Sequence, residues 1–216
     1  MVTVGLVTRS GTQYNWGMLL SFDFERRRTN AIVFVGQGTN AYILWAKYLV
    51  KFQNHAIHPL LPLMIFEWIT LFYYRTQLYQ QIDKIRGIER ETGHGVTVET
   101  DDPAGIFLGL DYFSLTKRVN ATHQYSLSIE RLVKLMQLKL VEIKASEILS
   151  LGSWASPSSQ AITGQEPPAA ALSGRAGESS KMIREMYDSI SRTIAVTLAD
   201  MAHHDRACSL QLSVVS

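Results

Sequence analysis

The sequence predicts a mostly α protein of the α+β kind, with long antiparallel helices and a small N-terminal β-hairpin or sheet. Three observations predict it. Residues 18–25 alternate apolar and polar with a period of two. Three later segments repeat apolar residues at spacings of three and four, the signature of helices with one buried face. Between the second and third of these, residues 152–180 form a stretch of 29 of which 20 are Gly, Pro, Ser or Ala. The expected organisation is a β element plus helical core over 1–151, a flexible linker over 152–180, and a stalk-like helix over 181–216 that packs on the core.

The β element comes first. Met18, Leu20, Phe22 and Phe24 alternate with Leu19, Ser21, Asp23 and Glu25, so one face is apolar. Arg26, Arg27 and Arg28 make a polar loop, and Asn30 to Val35, rich in β-branched and aromatic residues, returns as the second strand. A lone hairpin is marginal in water, so it must pack on helices or on further strands.

Helices follow. Thr39 or Asn40 is placed to cap a helix that runs to about Asn54. His58, Pro59 and Pro62 then form a structural corner that aims a long helix, since a residue before proline avoids the α region. In that helix Met64, Trp68, Leu71, Arg75, Leu78, Ile82 and Ile85 are spaced 4, 3, 4, 3, 4 and 3 apart. This is close to a coiled-coil seam, with Arg75 as its polar intruder. Gly93 and Gly95 supply the stop, and 96–109 reads as a loop. A second long helix is expected over Ser114 to Leu151, with Tyr125, Ile129, Leu132, Met136, Leu140 and Ile143 on one face. The third starts near Ser180 and repeats Ile183, Tyr187, Ile190, Ile194, Leu198 and Met201.

Composition excludes several classes. With 46% hydrophobic and 19% charged residues, wholesale disorder is excluded. A net charge of +2, from 21 basic and 19 acidic side chains, argues against a nucleic-acid partner. The charge is uneven, however: residues 1–54 hold six basic and two acidic groups. Cys208 is the single cysteine, which excludes an intramolecular disulfide and any zinc site needing two thiolates from one chain. The longest apolar block, Leu60 to Tyr74, contains Glu67 and Thr70 and is too short to cross a bilayer, so it reads as a buried helix. No charged region precedes the short apolar N-terminus, so the expected location is cytoplasmic, with no membrane span.

Four groups of residues have the types that chemistry needs. Gly36-Gln37-Gly38-Thr39-Asn40-Ala41 fits a dinucleotide turn, but the acidic residue about 20 positions later is missing, which leaves a strand-to-helix turn of small residues. His55 and His58 are three apart, as metal ligands on one helix face would be; Pro59 disfavours that geometry, and histidines satisfying backbone carbonyls at a helix end are expected instead. Asp200, His203, His204, Asp205 and Cys208 form the densest ligand-type cluster, with Asp200, His204 and Cys208 on one face; a solvated polar face is the expectation. Arg26, Arg27 and Arg28 suit phosphate, lipid headgroups or an acidic partner, and read first as solvated surface. The residues themselves assign no catalytic, cofactor-binding or metal position.

Several segments, taken in order, resemble one family. Trp16-Gly17-Met18-Leu19-Leu20-Ser21-Phe22-Asp23-Phe24 is followed by Arg28-Thr29-Asn30-Ala31 and by His58-Pro59-Leu60-Leu61-Pro62-Leu63. Ile88-Glu89-Arg90-Glu91-Thr92-Gly93 comes next, and Leu198-Ala199-Asp200-Met201-Ala202 later. This order is similar to the cytosolic region of the fungal CorA-like magnesium-transporter proteins. The resemblance implies long helices after a small strand region, a stalk helix over Ile194 to Leu212, magnesium as the ligand, and membrane-bound full-length relatives. The sequence contains no Gly-Met-Asn, the motif of the family's pore mouth, so no pore residue is carried over.

The expected function is therefore a non-catalytic cytosolic domain, a helical interaction or regulatory module unable to transport ions alone. Its seams would serve a second copy or a membrane-transporter partner. The alternatives are a small nucleotide- or metal-binding enzyme, or a truncated gene product of a membrane transporter.

Overall fold

The computed structural model describes residues 2–6, 16–23, 28–35, 41–56, 58–93, 110–145 and 169–215. Helices dominate, and one small antiparallel sheet stands at the N-terminal end of the sequence. The mostly α expectation holds.

Strands β1 (Val2–Leu6), β2 (Trp16–Asp23) and β3 (Arg28–Val35) form a three-stranded sheet in the order β1-β2-β3. Both pairs are antiparallel, with Val4 opposite Leu20 and Leu20 opposite Ala31. The period-two face of β2 is turned inward: Met18 and Leu20 are buried. Strand β1 was not among the expected elements. Val2-Thr3-Val4-Gly5-Leu6 is a short apolar run with β-branched residues, and pairing it with β2 gives the hairpin the third strand it needs.

Among the described residues four α-helices follow: α1 (Ala41–Lys51), α2 (Leu61–Thr92), α3 (Tyr112–Ala145) and α4 (Ala169–Val215), with a short 3-10 turn at Gln53–His55. The first helix ends three residues before the expected Asn54, where the 3-10 turn takes over. Helix α2 ends at Thr92 because Gly93 adopts φ 66°, the left-handed conformation that terminates helices. Helix α4 begins twelve residues before the expected linker boundary, at Ala169. The reason is compositional: Pro167-Pro168 suits a helix start, and Ala169-Ala170-Ala171-Leu172 are strong helix formers. Alanine counted with Gly, Pro and Ser toward a linker belongs here to a helix. Residues 146–168, the loop at 96–109, the Gly36–Asn40 turn, and Arg26 and Arg27 lie outside the described residues.

Burial gives each long helix a heptad seam, shifted from the expected one. On α2 the buried residues Met64, Glu67, Leu71, Tyr74, Leu78, Gln81, Ile85, Ile88 and Thr92 alternate at spacings of three and four, and Leu61, Leu63, Ile65, Phe66, Ile69, Thr70 and Glu89 are buried beside them. Trp68 is exposed, and Arg75 and Ile82 are only half-buried, so these three expected seam members stand beside it. On α3 the buried set is Leu115, Val119, Thr122, Ser126, Ile129, Val133, Met136, Leu140 and Ile143; Tyr125 is exposed and Leu132 half-buried. On α4, Ile190, Ile194, Thr197, Met201, His204, Cys208, Gln211 and Val215 are buried, and Leu198 gives way to Thr197.

The chain divides into two compact units. One comprises Met1–Thr70 and Met136–Arg192, the other Leu71–Leu135 and Thr193–Ser216. In the first, Trp45 of α1 donates its indole N–H to the Pro62 carbonyl at 3.1 Å, and Tyr48 packs edge-on against Trp68. In the second, Ile85, Ile88, Leu115, Val119, Cys208 and Val215 form one apolar cluster. Arg118 pairs with Glu91 through two nitrogens, which sets α3 antiparallel to α2 together with the Tyr125–Gln77 bond.

Candidate functional site

Polar side chains at heptad core positions create two centres, one in each unit. In the second unit the centre is His204 and Cys208, one helical turn apart on α4. Cys208 Sγ lies 3.5 Å from His204 Nε2, and both residues are closed off from solvent. Burial pushes the Cys208 thiol up to about 12, with the nearby carboxylates of Asp205 and Glu89 adding to the shift. Burial lowers His204 to about 4, helped by His123 and His203 and opposed by Asp205. At neutral pH the pair is thus thiol and neutral imidazole. A cysteine nucleophile needs the proton transferred, giving a thiolate beside an imidazolium.

Around this pair the expected ligand cluster separates. Asp205 is exposed and bonds His123 of α3, with Oδ1 2.6 Å from Nε2. His203 is exposed and Asp200 half-buried. The expected solvated polar face is therefore corrected: two of its five members, His204 and Cys208, fill the core, because α4 turns positions 204 and 208 inward with Met201 and Gln211. Among the described residues no three His, Cys, Asp or Glu side chains converge as a metal ion would require. Gln211 completes the centre, with its amide oxygen position 3.1 Å from the Thr92 hydroxyl. That hydroxyl also lies 3.0 Å from the Ile88 carbonyl, and its single proton serves one acceptor at a time.

In the first unit the corner and the helix after it hold the second centre. The His58 amide bonds the His55 carbonyl, and the Leu61 amide bonds the His58 carbonyl, so the turn leads directly into α2. Pro59 is buried, and Pro62 sits in the first turn of α2, where its missing N–H costs no helical bond. His58 itself is buried, and its Nδ1 accepts the Leu60 amide at 3.2 Å. That bond places the ring proton on Nε2, which has no partner among the described residues. Burial lowers His58 to about 4, and Arg184 of α4 acts in the same direction. His55 meets Ser179 of α4, Nδ1 to Oγ at 3.3 Å. Both histidines thus bond an amide or a hydroxyl, where backbone carbonyls were expected. The corner exposes the amides of 60 and 61 at a helix start, so acceptors are needed there rather than donors.

Glu67, the seventh residue of α2, interrupts the apolar block and is more than an interruption. It is fully enclosed, and neither carboxylate oxygen has a partner among the described residues. Burial raises it to about 7, against the pull of Lys139 on α3. Lys139 is itself lowered by burial. A buried carboxyl without a hydrogen bond costs far less in its neutral form than in its charged form, so the fold favours the protonated state. The signal was available: a lone carboxylate within fifteen otherwise mainly apolar residues, at a position three from Met64 and four from Leu71.

A shallow groove between α2 and α3 in the second unit is lined by Lys84, Gly87, Ile88, Arg118, Ala121 and Thr122. Its cations are already engaged, Arg118 by Glu91 and Lys84 by Gln81. Among the described residues no helix is long and apolar enough to cross a membrane. Comparison with family models, with curated proteins and with solved structures finds no match to this chain.

Proposed function

We propose that this chain is a non-catalytic helical interaction or regulatory module, a cytoplasmic domain of the kind the CorA-like resemblance implies, which does not move ions by itself. The outward stripe of α2 carries this reading. The inner seam of that helix is complete without Phe72 and Tyr79, which stand seven residues apart on its other side within the second unit. Phe72 is 66% exposed and Tyr79 44%. Large aromatic side chains left outside a filled seam form a contact surface for another helix. Arg75 lies over the Tyr79 ring at 5.5 Å and is the one charge within the stripe. A second copy of this chain is the proposed occupant, since near-neutral aromatic stripes can pair without charge repulsion.

The chemistry of the two centres supports the same reading. Cys208 and His204 are held in uncharged, enclosed forms, and His58 of the corner and Glu67 of α2 are enclosed too. These are features of a core that tolerates polar groups.

A disulfide test locates the contact. In a Cys208→Ser background, Phe72→Cys is expected to cross-link two chains on mild oxidation, and Lys117→Cys on α3 is not. Equal yields from both positions would reject the stripe. The magnesium role that the resemblance implies has its own test: millimolar magnesium must shift the melting temperature or the oligomeric mass. No shift removes an ion-sensing role and leaves the stripe untouched.

A further inference from the structure

Helix α1 breaks the usual rule for a surface helix. Its inner side is fixed to the first unit by the Trp45–Pro62 hydrogen bond and the Tyr48–Trp68 ring contact. Its outer side ought to be charged. Instead Tyr42, Ile43, Leu44 and Val50 are exposed, Val50 at 67%. At 100° per residue, Ile43, Lys47 and Val50 share the centre of the outer face, and Leu44 and Lys51 flank it. Lys47 and Lys51 are both exposed, and Lys51 lies beside the Tyr48 and Phe52 rings at 5.8 and 5.6 Å.

The surrounding sequence has one sign of charge. From Arg26 to Phe66 there are three arginines and two lysines, and no Asp or Glu. A second copy of the same face would therefore be repelled, and a neutral partner would leave the lysines unmatched. The occupant must be anionic, and it must also accept four exposed apolar side chains along a short helix. A lipid surface does both: the apolar face enters the headgroup region, and lysines reach up to the phosphates.

We infer that the outer face of α1 docks on an anionic lipid surface. Ile43 and Val50 enter the interface, and Lys47 and Lys51 pair with lipid phosphate. This proposal uses none of the residues of the α2 stripe, Phe72 and Tyr79, so the two are tested by different variants.

Co-sedimentation of the full chain with vesicles tests it. Phosphatidylcholine vesicles containing phosphatidylserine are expected to bind the chain, and pure phosphatidylcholine vesicles much less. Raising salt should release it. Lys47→Glu with Lys51→Glu should weaken binding by about tenfold or more, as losing two phosphate contacts and adding two repulsions requires. Ile43→Ser with Val50→Ser should weaken it too, and Lys117→Glu on α3 should not. Circular dichroism confirms that each variant is folded, and the salt series on the unaltered chain needs no variant. Failure to bind serine-containing vesicles at low salt overturns the proposal. Binding that survives Ile43→Ser with Val50→Ser, together with equal capture by a soluble polyanion, also overturns it and assigns the face to an acidic macromolecule. A change of oligomeric mass in the α1 variants without a change in vesicle binding overturns it in favour of a second copy.

Discussion

Cys208 Sγ and His204 Nε2 meet at 3.5 Å inside the apolar cluster of the second unit, with both side chains shielded from water. The contact has the residue types of a nucleophile and its base, but the environment fixes it in the opposite protonation pattern. Low dielectric disfavours both charges, and the carboxylates of Asp205 and Glu89 oppose a thiolate further. Reaction of Cys208 with a thiol reagent near neutral pH is expected to be at least about tenfold slower in the folded chain than in the unfolded one. The rate should rise only as denaturant unfolds the second unit. Fast labelling of the folded chain would show a reactive thiolate and reopen an enzymatic reading.

The buried ionisable groups give pH effects of opposite sign. His58 and His204 have folded values of about 4, below the usual 6.5. The unfolded chain binds more protons in that window, so their contribution is full above about pH 6.5 and is lost as pH falls toward 4. Glu67 is raised to about 7 from 4.5, so the folded state binds the extra proton and its contribution is lost as pH rises from 4.5 to 7. Glu67→Gln isolates this second effect. It should raise stability near pH 8, by on the order of 2 kcal/mol, and change little near pH 5. Denaturant midpoints at the two pH values check it. An equal change at both would mean that Glu67 is ionised or paired in the fold.

The phase of the α2 seam is testable by paired truncations. Ile85 is enclosed, and Ile82, three residues earlier, is half-buried. Ile85→Ala should cost about 2–5 kcal/mol, and Ile82→Ala roughly 1 kcal/mol. Urea unfolding of both variants decides between the seam seen here and the seam expected from apolar spacing alone, which gave both positions equal weight.

Gly87 inside α2 and Gly93 just past its end have opposite roles. A Cβ added at Gly87 meets nothing within 4 Å, so Gly87→Ala should stabilise by about 0.5–1 kcal/mol through helix propensity. Gly93 has φ 66°, and Gly93→Ala should cost about 1 kcal/mol. Thermal unfolding of the two variants should shift in opposite directions.

These contrasts show how far the sequence was legible. Long helices and the β2–β3 hairpin follow from strong periodicity, and Gly93 marks the end of α2 as expected. Seam phase was not legible, because tracking only apolar residues skips Glu67, Gln81 and Thr92 on α2, Thr122 and Ser126 on α3, and Thr197, His204 and Gln211 on α4. Each of these polar residues occupies a core position; beside Glu67, Gln81, Ser126 and Thr197 the apolar spacing selects Trp68, Ile82, Tyr125 and Leu198 instead, and keeping that phase selects Arg75 over Tyr74 and Leu132 over Val133. Gln211 and Thr92 meet across helices 119 residues apart in sequence, a pairing no local pattern reveals. The corner at His58, Pro59 and Pro62 was legible from its prolines, but the direction of the hydrogen bond at His58 was not, since it depends on which orphan amides the turn presents.

The outward aromatic stripe of α2 is proposed to join two copies of this chain. Light scattering over a dilution series, comparing the unaltered chain with Phe72→Glu plus Tyr79→Glu, tests it most directly. The account predicts a mass that climbs from one chain toward two with concentration, and a doubly substituted variant that is folded and stays at one chain throughout. A single-chain mass for the unaltered protein at every concentration, or an identical climb in the variant, would contradict it.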